Sequence, residues 1–235
     1  MPTALVLSAA GMFGAWQAGV WKALCGRFQP DLIVGTSAGA WNGWSIAGGA
    51  SPCDLIREWM DPLTGTIMQR RSNATDWVLH TKARELFDRF QPRIPFGLTL
   101  SEVPRLRSRL VRAKDIEWRH LAATCSIPLF FPSVEVDGRR YVDGGFLNAL
   151  PLWAAEEMGA TRAIAVMALT TLPFRLVRKL MWRRQPSARL EVIRIEPSRG
   201  LGTLHDAFSW SAPNIARWIE QGERDGNRAA GSLGR

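Results

Sequence analysis

At 235 residues the chain is long enough to bury one large core, and its 46% hydrophobic and 22% charged residues are typical of a globular domain. Its prolines and glycines follow no period, which excludes fibrous and disordered classes, and its longest uncharged apolar stretch, 34–51, falls short of a bilayer span. The net charge of +9 predicts attraction to anionic surfaces, but no nucleic-acid-binding motif accompanies it, so nucleic acid is not an expected partner.

The chain opens with two predicted units of strand, loop and helix. The apolar run Ala4–Ser8 predicts a strand, and a glycine-containing loop leads from it to a helix predicted over 15–27. The run Leu32–Val34 predicts a second strand, which is followed by a helix-compatible stretch over 40–48. A βαβα beginning of this kind favours a parallel sheet with helices on both of its faces.

Further predicted elements extend this sheet and cover it. Apolar runs predict strands over 96–100, 109–111, 134–136, 163–168 and 190–195. Helical spacing of apolar residues predicts helices over 54–60, 75–90 and 213–224. We therefore expect one α/β domain over 1–225, a three-layer α/β/α sandwich with a mixed, mainly parallel central sheet, followed by a flexible tail over 226–235.

The pentapeptide Gly35-Thr36-Ser37-Ala38-Gly39 has the form of a nucleophile elbow. A serine hydroxyl becomes a useful nucleophile when a sharp turn presents it beside a base and an oxyanion site, and flanking glycines make that turn sterically possible. Glycine and serine are common residues, so the pentapeptide alone is weak evidence. The strand before it and the helix after it strengthen the prediction that Ser37 is catalytic.

A second motif lies far downstream, over 136–145. Asp137-Gly138 predicts a tight hairpin turn, Tyr141-Val142 is strand-like, and Gly144-Gly145 lets the backbone pass close to whatever lies beside Asp143. An aspartate held in this way is chemically able to accept the serine proton. Aspartates in turns also commonly bind only their own backbone. Both interpretations of Asp143 stay open on these residues alone.

Taken together, these motifs resemble the patatin-like phospholipase family, whose members use a Ser-Asp dyad. Residues 5–20 look like the family's glycine-rich oxyanion loop and the helix after it, and residues 35–39 look like its nucleophile elbow. Residues 122–132 resemble the segment before the family's aspartate, and Asp143-Gly144-Gly145 matches its Asp-Gly-Gly/Ala motif. The likeness is loose over 52–115.

The resemblance implies a role for each motif. Ser37 would be the nucleophile, and Asp143 the base that activates it and later deprotonates the water that hydrolyses the acyl-enzyme. Backbone N–H groups of Ala10, Gly11 and Met12 would hold the oxyanion. The implied substrate is a lipid ester, and the implied chemistry uses neither a metal nor an organic cofactor.

Four positions depart from the family's usual pattern. Ala9 and Ala10 stand where glycines are usual, which costs about 1 kcal/mol or more each only where φ is positive. Phe13 replaces a usual Arg or Lys, and this loss of a cation favours a neutral or less phosphate-dependent ester. Ala149 stands where a second asparagine is common, and we expect it to affect packing near the aspartate loop more than chemistry.

Two other functions are compatible with the sequence. An α/β-hydrolase triad of Ser37, Asp143 and His205 has the chain order of such enzymes, but Ser37 follows only the second predicted strand, which is early for that fold. The other alternative is a catalytically silent relative that binds lipid or a partner. In that case a Ser37→Ala protein would behave like the wild type.

The segment 172–184 concentrates arginine and lysine among large apolar residues. Because such a segment is able to lie in a membrane interface, we expect peripheral contact with an anionic membrane there. A crossover helix with solvated arginines is the alternative.

The cysteines indicate the redox setting. Cys25, Cys53 and Cys125 are odd in number and lack the spacing of metal ligands. We therefore expect neither a disulfide framework nor a metal site, and a reducing, cytoplasmic setting.

Overall fold

The computed structural model describes residues 1–67, 78–170 and 184–233. Within these ranges one mixed sheet contains eight strands. They are β1 (Thr3–Leu7), β2 (Leu32–Gly35), β3 (Phe96–Val103), β4 (Arg107–Arg112), β5 (Val134–Val136), β6 (Arg139–Asp143), β7 (Arg162–Val166) and β8 (Glu191–Ile195). Two predicted features lie partly outside the described residues: the start of the helix predicted over 75–90, at 75–77, and the basic segment, at 172–183.

The centre of the sheet is parallel and one side of it is antiparallel. Strands β3, β2, β1, β7 and β8 lie side by side in that order, and each pairs in parallel with the next. The second half of β3 pairs antiparallel with β6, so that Leu100 lies opposite Asp143. This pairing brings an aspartate from late in the chain to the carboxyl end of β2.

Successive side chains of β1 point into two separate cores. Leu5 and Leu7 belong to a large core with the helices of one face, whereas Ala4 and Val6 belong to a smaller core on the other face. Such alternation is what a sheet covered on both faces requires. The predicted three-layer α/β/α fold with a mixed sheet is confirmed.

Eight helices appear in the described part of the chain. They are α1 (Gly14–Leu24), α2 (Ala38–Ala47), α3 (Pro52–Met60), α4 (Val78–Arg89), α5 (Trp118–Ala123), α6 (Leu152–Glu157), α7 (Leu204–Phe208) and α8 (Ala212–Leu233). Short 3-10 turns at Gly11–Phe13 and Pro62–Thr66 adjoin α1 and α3. The sequence patterns did not predict the short helices α5, α6 and α7.

The last helix packs along α1 and is longer than predicted. The rings of Phe13 and Trp218 meet edge to face with centroids 4.9 Å apart, and the Trp16 indole donates a hydrogen bond to buried Asp225 at 2.9 Å. Gly226 is also buried, against α1. The prediction of a flexible tail is therefore wrong for 226–233, because packing on α1 orders a stretch whose composition alone does not favour a helix.

Candidate active site

Ser37 lies at the carboxyl end of β2, on the turn that begins α2. Its backbone is left-handed, with φ of 55° and ψ of −135°, a conformation that costs a non-glycine residue of the order of 1–3 kcal/mol. The turn is fixed on both sides, because the N–H of Thr36 donates to the carbonyl of Leu7 and the N–H groups of Ala40 and Trp41 donate to the carbonyl of Ser37. The surrounding fold therefore maintains the strained elbow predicted from the sequence.

A threonine in another segment holds the Ser37 backbone from the opposite side. The N–H of Ser37 donates to Thr124 Oγ1 at 2.9 Å, and the Thr124 hydroxyl donates in turn to the carbonyl of Thr99 at 3.0 Å. Because Thr124 is fully buried and Thr99 lies in β3, this chain of hydrogen bonds ties the elbow to the neighbouring strand. Sequence reasoning did not assign Thr124 to the site.

Asp143 ends β6 and faces Ser37 directly. The Ser37 hydroxyl donates to Asp143 Oδ2 at 2.6 Å, and the N–H of Gly145 donates to Oδ1 at 2.6 Å. The Asp143 N–H donates to the carbonyl of Ser126, which fixes the backbone of the aspartate. The two sequence motifs, 106 residues apart, thus meet at one hydrogen bond, with both carboxylate oxygens of Asp143 bound.

The hairpin that carries Asp143 has the predicted turn. Asp137 and Gly138 adopt φ of 49° and 70°, and β5 and β6 pair on either side of them. Two left-handed residues in succession suit the right-handed twist of a hairpin. The turn therefore sets the register that places Asp143 opposite Leu100 of β3.

Burial makes the Asp143 carboxyl a weaker acid than an exposed aspartate. Removal from water raises its pKa from an ordinary 3.8 to about 7, and the hydrogen bonds from Ser37 and Gly145 oppose this rise only in part. A carboxylate with such a pKa holds a proton far more firmly than an exposed one. It is therefore suited to take a proton from Ser37 and return it at neutral pH.

Cys125 is a neighbour of Ser37 that sequence reasoning did not place in the site. It lines the same cavity as Ser37. Burial and the adjacent Asp143 charge raise the pKa of its thiol well above 9.0, although hydrogen bonding with Ser37 opposes that rise. Because the thiolate is the nucleophilic form of cysteine, this thiol does not compete with the serine at neutral pH.

The loop after β1 contributes residues to the wall of the same cavity. Gly11 has φ of 55° and begins a 3-10 turn that the N–H of Phe13 closes on the carbonyl of Ala10. The first N–H groups of a helical turn have no partner within it, so those of Gly11 and Met12 are left for another acceptor. Gly11, Met12 and Ser37 all line the cavity.

The alanines that depart from the family's pattern fit this loop without strain. Ala10 has φ of −148°, and neither it nor Ala9 belongs to the residues with positive φ. The left-handed position is Gly11, where a Cβ would meet the carbonyl oxygen of Ala207 at 2.3 Å. The two alanines therefore adopt the backbone of this loop without the strain that a positive φ would cause.

Phe13 does not line the cavity. Its side chain is buried against Trp218 of α8, and the chain turns away from the cavity at this residue. The inference from Phe13 to a neutral ester assumed that residue 13 contacts the substrate, and the position of Phe13 does not provide that contact. The charge that a substrate meets must come from other residues.

A buried polar network holds the loop after β1 against the helices around it. Gln17 of α1 donates to the carbonyl of Ser8 at 2.9 Å, Asn42 of α2 donates to Gln17 Oε1 and to the carbonyl of Gly14, and the Trp59 indole of α3 donates to Asn42 Oδ1. This network joins β1, α1, α2 and α3 beneath the site. It depends on contacts between distant segments, so no local pattern indicated it.

The cavity above Ser37 has a volume of about 680 Å³. That volume lies in the range of pockets that accept a small organic molecule or an acyl chain. Much of its wall is apolar, formed by residues that include Met12, Trp41, Leu55, Leu79, Leu86 and Ile127.

One part of the wall carries charged groups that are paired with one another. Lys82 Nζ lies 2.7 Å from Asp61, 3.8 Å from Glu58 and 3.6 Å from Glu85. Burial opposes the Lys82 charge, but the hydrogen bond and charges of these carboxylates raise its pKa above the ordinary value. Lys82 is therefore a cation committed to protein carboxylates.

His205 has no part in the contact between Ser37 and Asp143. It lies in α7, where its Nε2 is 3.1 Å from the Ser209 hydroxyl, and it does not line the cavity. Because Ser37 donates directly to Asp143, the alternative triad through His205 is wrong.

Two kinds of feature are absent from the residues that the structure describes. Among them, no group of three or more His, Cys, Asp or Glu side chains is arranged to hold a metal ion. No helix in the described ranges has the length and apolar character needed to cross a membrane.

Comparison with known sequences identifies relatives of the chain. The family described as Patatin-like phospholipase matches residues 5–156. The chain is 29% identical over 183 residues to patatin-like phospholipase domain-containing protein 7 of Rattus norvegicus, and 28% identical over 180 residues to protein 6 of the same name in Homo sapiens. Each match covers 69% of this chain but only 13% of the relative.

Solved structures share the fold. VipD from Legionella pneumophila superposes with a TM-score of 0.58 at 11% identity, over 98% of this chain and 67% of that one. The type III effector protein ExoU superposes with a TM-score of 0.51 at 12% identity, over 98% of this chain and 53% of that one. At such low identity these likenesses concern the fold alone.

Proposed function

Because the chain belongs to the patatin-like phospholipase family, we propose that it is a serine acyl hydrolase that cleaves carboxylic esters of lipids. The observation that carries this proposal is the 2.6 Å hydrogen bond from the Ser37 hydroxyl to Asp143. A serine that lines a cavity large enough for an acyl chain, and that donates to a carboxylate, supports the roles of nucleophile for Ser37 and base for Asp143.

The proposed reaction proceeds through an acyl-enzyme. Ser37 Oγ attacks the ester carbonyl carbon while its proton moves to Asp143 Oδ2, and the N–H groups of Gly11 and Met12, with Ala10 beside them, stabilise the oxyanion. The carbon–oxygen bond of the ester then breaks, and the leaving alcohol takes the proton from Asp143. In the second half, water attacks the acyl carbon, Asp143 accepts its proton and returns it to Ser37, and the fatty acid leaves.

The charges of the cavity support a substrate that needs no strong phosphate anchor. Three cations line the cavity within the described ranges, and each forms an ion pair with a carboxylate: Arg57 with Asp54, Lys82 with Asp61, and Arg89 with Glu58. A phosphate bound there would meet cations whose charge is already balanced in part by these carboxylates. Neutral esters and lipids whose headgroups stay outside the cavity are therefore the favoured substrates.

Covalent labelling tests the proposed nucleophile. A fluorophosphonate probe reacts with an activated serine as the hydroxyl attacks phosphorus and fluoride leaves, so we expect a mass adduct on the peptide that contains Ser37. Ser37→Ala should abolish the adduct. Ser45→Ala is the matched control and should retain it, since Ser45 is another buried serine that lines the cavity.

The same samples should hydrolyse a short-chain ester only when Ser37 is present. Hydrolysis that persists in Ser37→Ala protein, with no adduct on the wild type, would contradict the proposal. A wild type that neither labels nor hydrolyses would support the alternative of a silent lipid-binding or partner-binding relative.

The pH dependence of hydrolysis should follow the ionisation of Asp143. Because the base acts in its deprotonated form and its pKa is about 7, we expect kcat/KM to rise as the pH increases through about 7 and then to level off. The measurement is acid released from a short-chain ester, quantified by chromatography between about pH 5 and about pH 9. A profile that already levels off near pH 5 would contradict an aspartate base of raised pKa.

A further inference from the structure

Exposed apolar side chains are concentrated around the opening of the cavity. In the described part of the chain, seven large apolar residues are exposed, and five of them lie beside residues that line the cavity. We call these five the apolar rim: Met60, Leu63, Leu129, Phe130 and Leu204. The other two, Met1 and Leu106, lie elsewhere in the sequence and do not adjoin a lining residue.

The turn after α5 forms one side of the rim. Ile127 and Phe131 line the cavity, while Leu129 and Phe130 between them are 103% and 50% exposed. Leu129 also has φ of 75°, which a leucine rarely adopts. The backbone therefore holds a large apolar side chain out in solvent at a cost in conformational energy, with no contact inside the fold to offset that cost.

Helix α7 forms the next part of the rim. The rings of Phe130 and Phe208 lie 5.2 Å apart, and Phe208 lines the cavity. Leu204, half exposed, is one helical turn before Phe208 and so shares its face. The turn and α7 together present one continuous apolar edge.

The opposite side of the rim follows α3. Met60 lines the cavity and is exposed, and Leu63 precedes the lining residue Thr64. Trp210, just after α7, donates its indole N–H to the carbonyl of Trp59 at 2.9 Å. This bond ties the α7 side of the rim to the α3 side, so that both groups of exposed apolar residues adjoin the same cavity.

We infer that the apolar rim docks on the surface of an anionic lipid bilayer, with the cavity opening toward the lipid. The inference rests on the proposed function, because an ester lipid must leave its bilayer to reach Ser37. Exposed apolar side chains around an opening insert favourably into the boundary between headgroups and acyl chains. The net charge of +9 complements an anionic bilayer and strengthens its attraction.

The rim differs from a purely basic surface in the way its binding responds to salt. Attraction between charges falls steeply as ionic strength rises, whereas the transfer of apolar side chains out of water does not. Binding through the rim should therefore survive high salt in part and depend on its apolar residues.

The test is cosedimentation with vesicles of phosphatidylcholine and phosphatidylserine, at low and at high salt. The protein carries Ser37→Ala, so that binding is measured without hydrolysis. Leu129→Asn should weaken binding about ten-fold at both salt concentrations, since it removes one inserted leucine. Asparagine tolerates positive φ, so the variant keeps the turn.

Leu106→Asn is the matched control. Leu106 is likewise an exposed leucine of positive φ, at 58% exposure and 49°, but it lies in the turn between β3 and β4. Its replacement should leave vesicle binding unchanged. Phe130→Ser, a second rim variant, should weaken binding as Leu129→Asn does.

Three outcomes would overturn the inference. One is equal binding by Leu129→Asn, Phe130→Ser and the parent protein, and another is complete loss of binding by all of them at high salt. The third is that the parent protein sediments as a dimer while Leu129→Asn sediments as a monomer. The rim would then join two copies of the chain. Failure of wild-type protein to hydrolyse any ester would instead contradict the proposed function, and leave the binding result standing.

Discussion

Asp143→Asn is expected to lower kcat for ester hydrolysis about 1,000-fold, because it removes the base that takes the Ser37 proton. An asparagine has nearly the shape of the aspartate, and its Oδ1 is able to accept from the Gly145 N–H while its amide NH2 donates to the Ser37 oxygen. It cannot accept a proton at neutral pH. The loss should therefore fall on kcat, with little change in the binding of substrate.

The same substitution should stabilise the protein at high pH. Between the ordinary pKa of 3.8 and about 7, the unfolded carboxyl is ionised while the folded one keeps its proton, so stability falls as the pH rises through this window. Asparagine stays neutral throughout. We therefore expect the melting temperature of Asp143→Asn to exceed that of the wild type by about 5 °C at high pH, and the difference to shrink near pH 4.

Asp137→Asn provides the matched control for both measurements. Asp137 is exposed at the turn of the same hairpin, and asparagine is at least as suited as aspartate to its φ of 49°. It should keep wild-type kcat and the wild-type change of stability with pH. Wild-type kcat in Asp143→Asn would contradict the role of Asp143 as base.

The backbone around the two residues proposed to react was predictable, because each of them lies in a turn that a short sequence specifies. Gly35 to Gly39 encode a sharp strand-to-helix turn, and Asp137-Gly138 encodes the hairpin that ends at Asp143. Chemistry in these motifs depends on local backbone geometry. Local patterns therefore singled out Ser37 and Asp143 as candidates, the family resemblance implied their roles, and their contact depended on the pairing of β3 with β6.

The rest of the site was not predictable, because it depends on packing between distant segments. Thr124, Cys125 and the network of Gln17, Asn42 and Trp59 come from four elements, and nothing in their local sequence marks them. These residues come together only when the helices pack on the sheet.

Tertiary packing explains two positions where local or family-based interpretation misled. The segment 226–233 has a composition that disfavours a helix, yet contact with α1 orders it. Phe13 was compared with a cationic position of the family, yet its side chain packs on Trp218. In both cases tertiary burial outweighed a local or family-based expectation.

Gly39→Ala should destabilise the protein by about 3 kcal/mol, although alanine is the better helix former. A Cβ at residue 39 would lie 2.4 Å from the Ser8 carbonyl oxygen and 2.5 Å from that of Leu7. Both are backbone atoms at the end of β1, and the Leu7 carbonyl already accepts the N–H of Thr36. Relief of this overlap must move α2 away from β1, and with it the elbow of Ser37.

The effect should appear in both stability and activity. We expect the melting temperature to fall by about 10 °C, and hydrolysis to fall even where the variant is fully folded, since Ser37 moves relative to the loop at Gly11. Gly231→Ala, in α8 with nothing within 4 Å of its Cβ, is the matched control and should be neutral or slightly stabilising. If Gly39→Ala kept the stability and activity of the wild type, the close contact between α2 and the end of β1 would be contradicted.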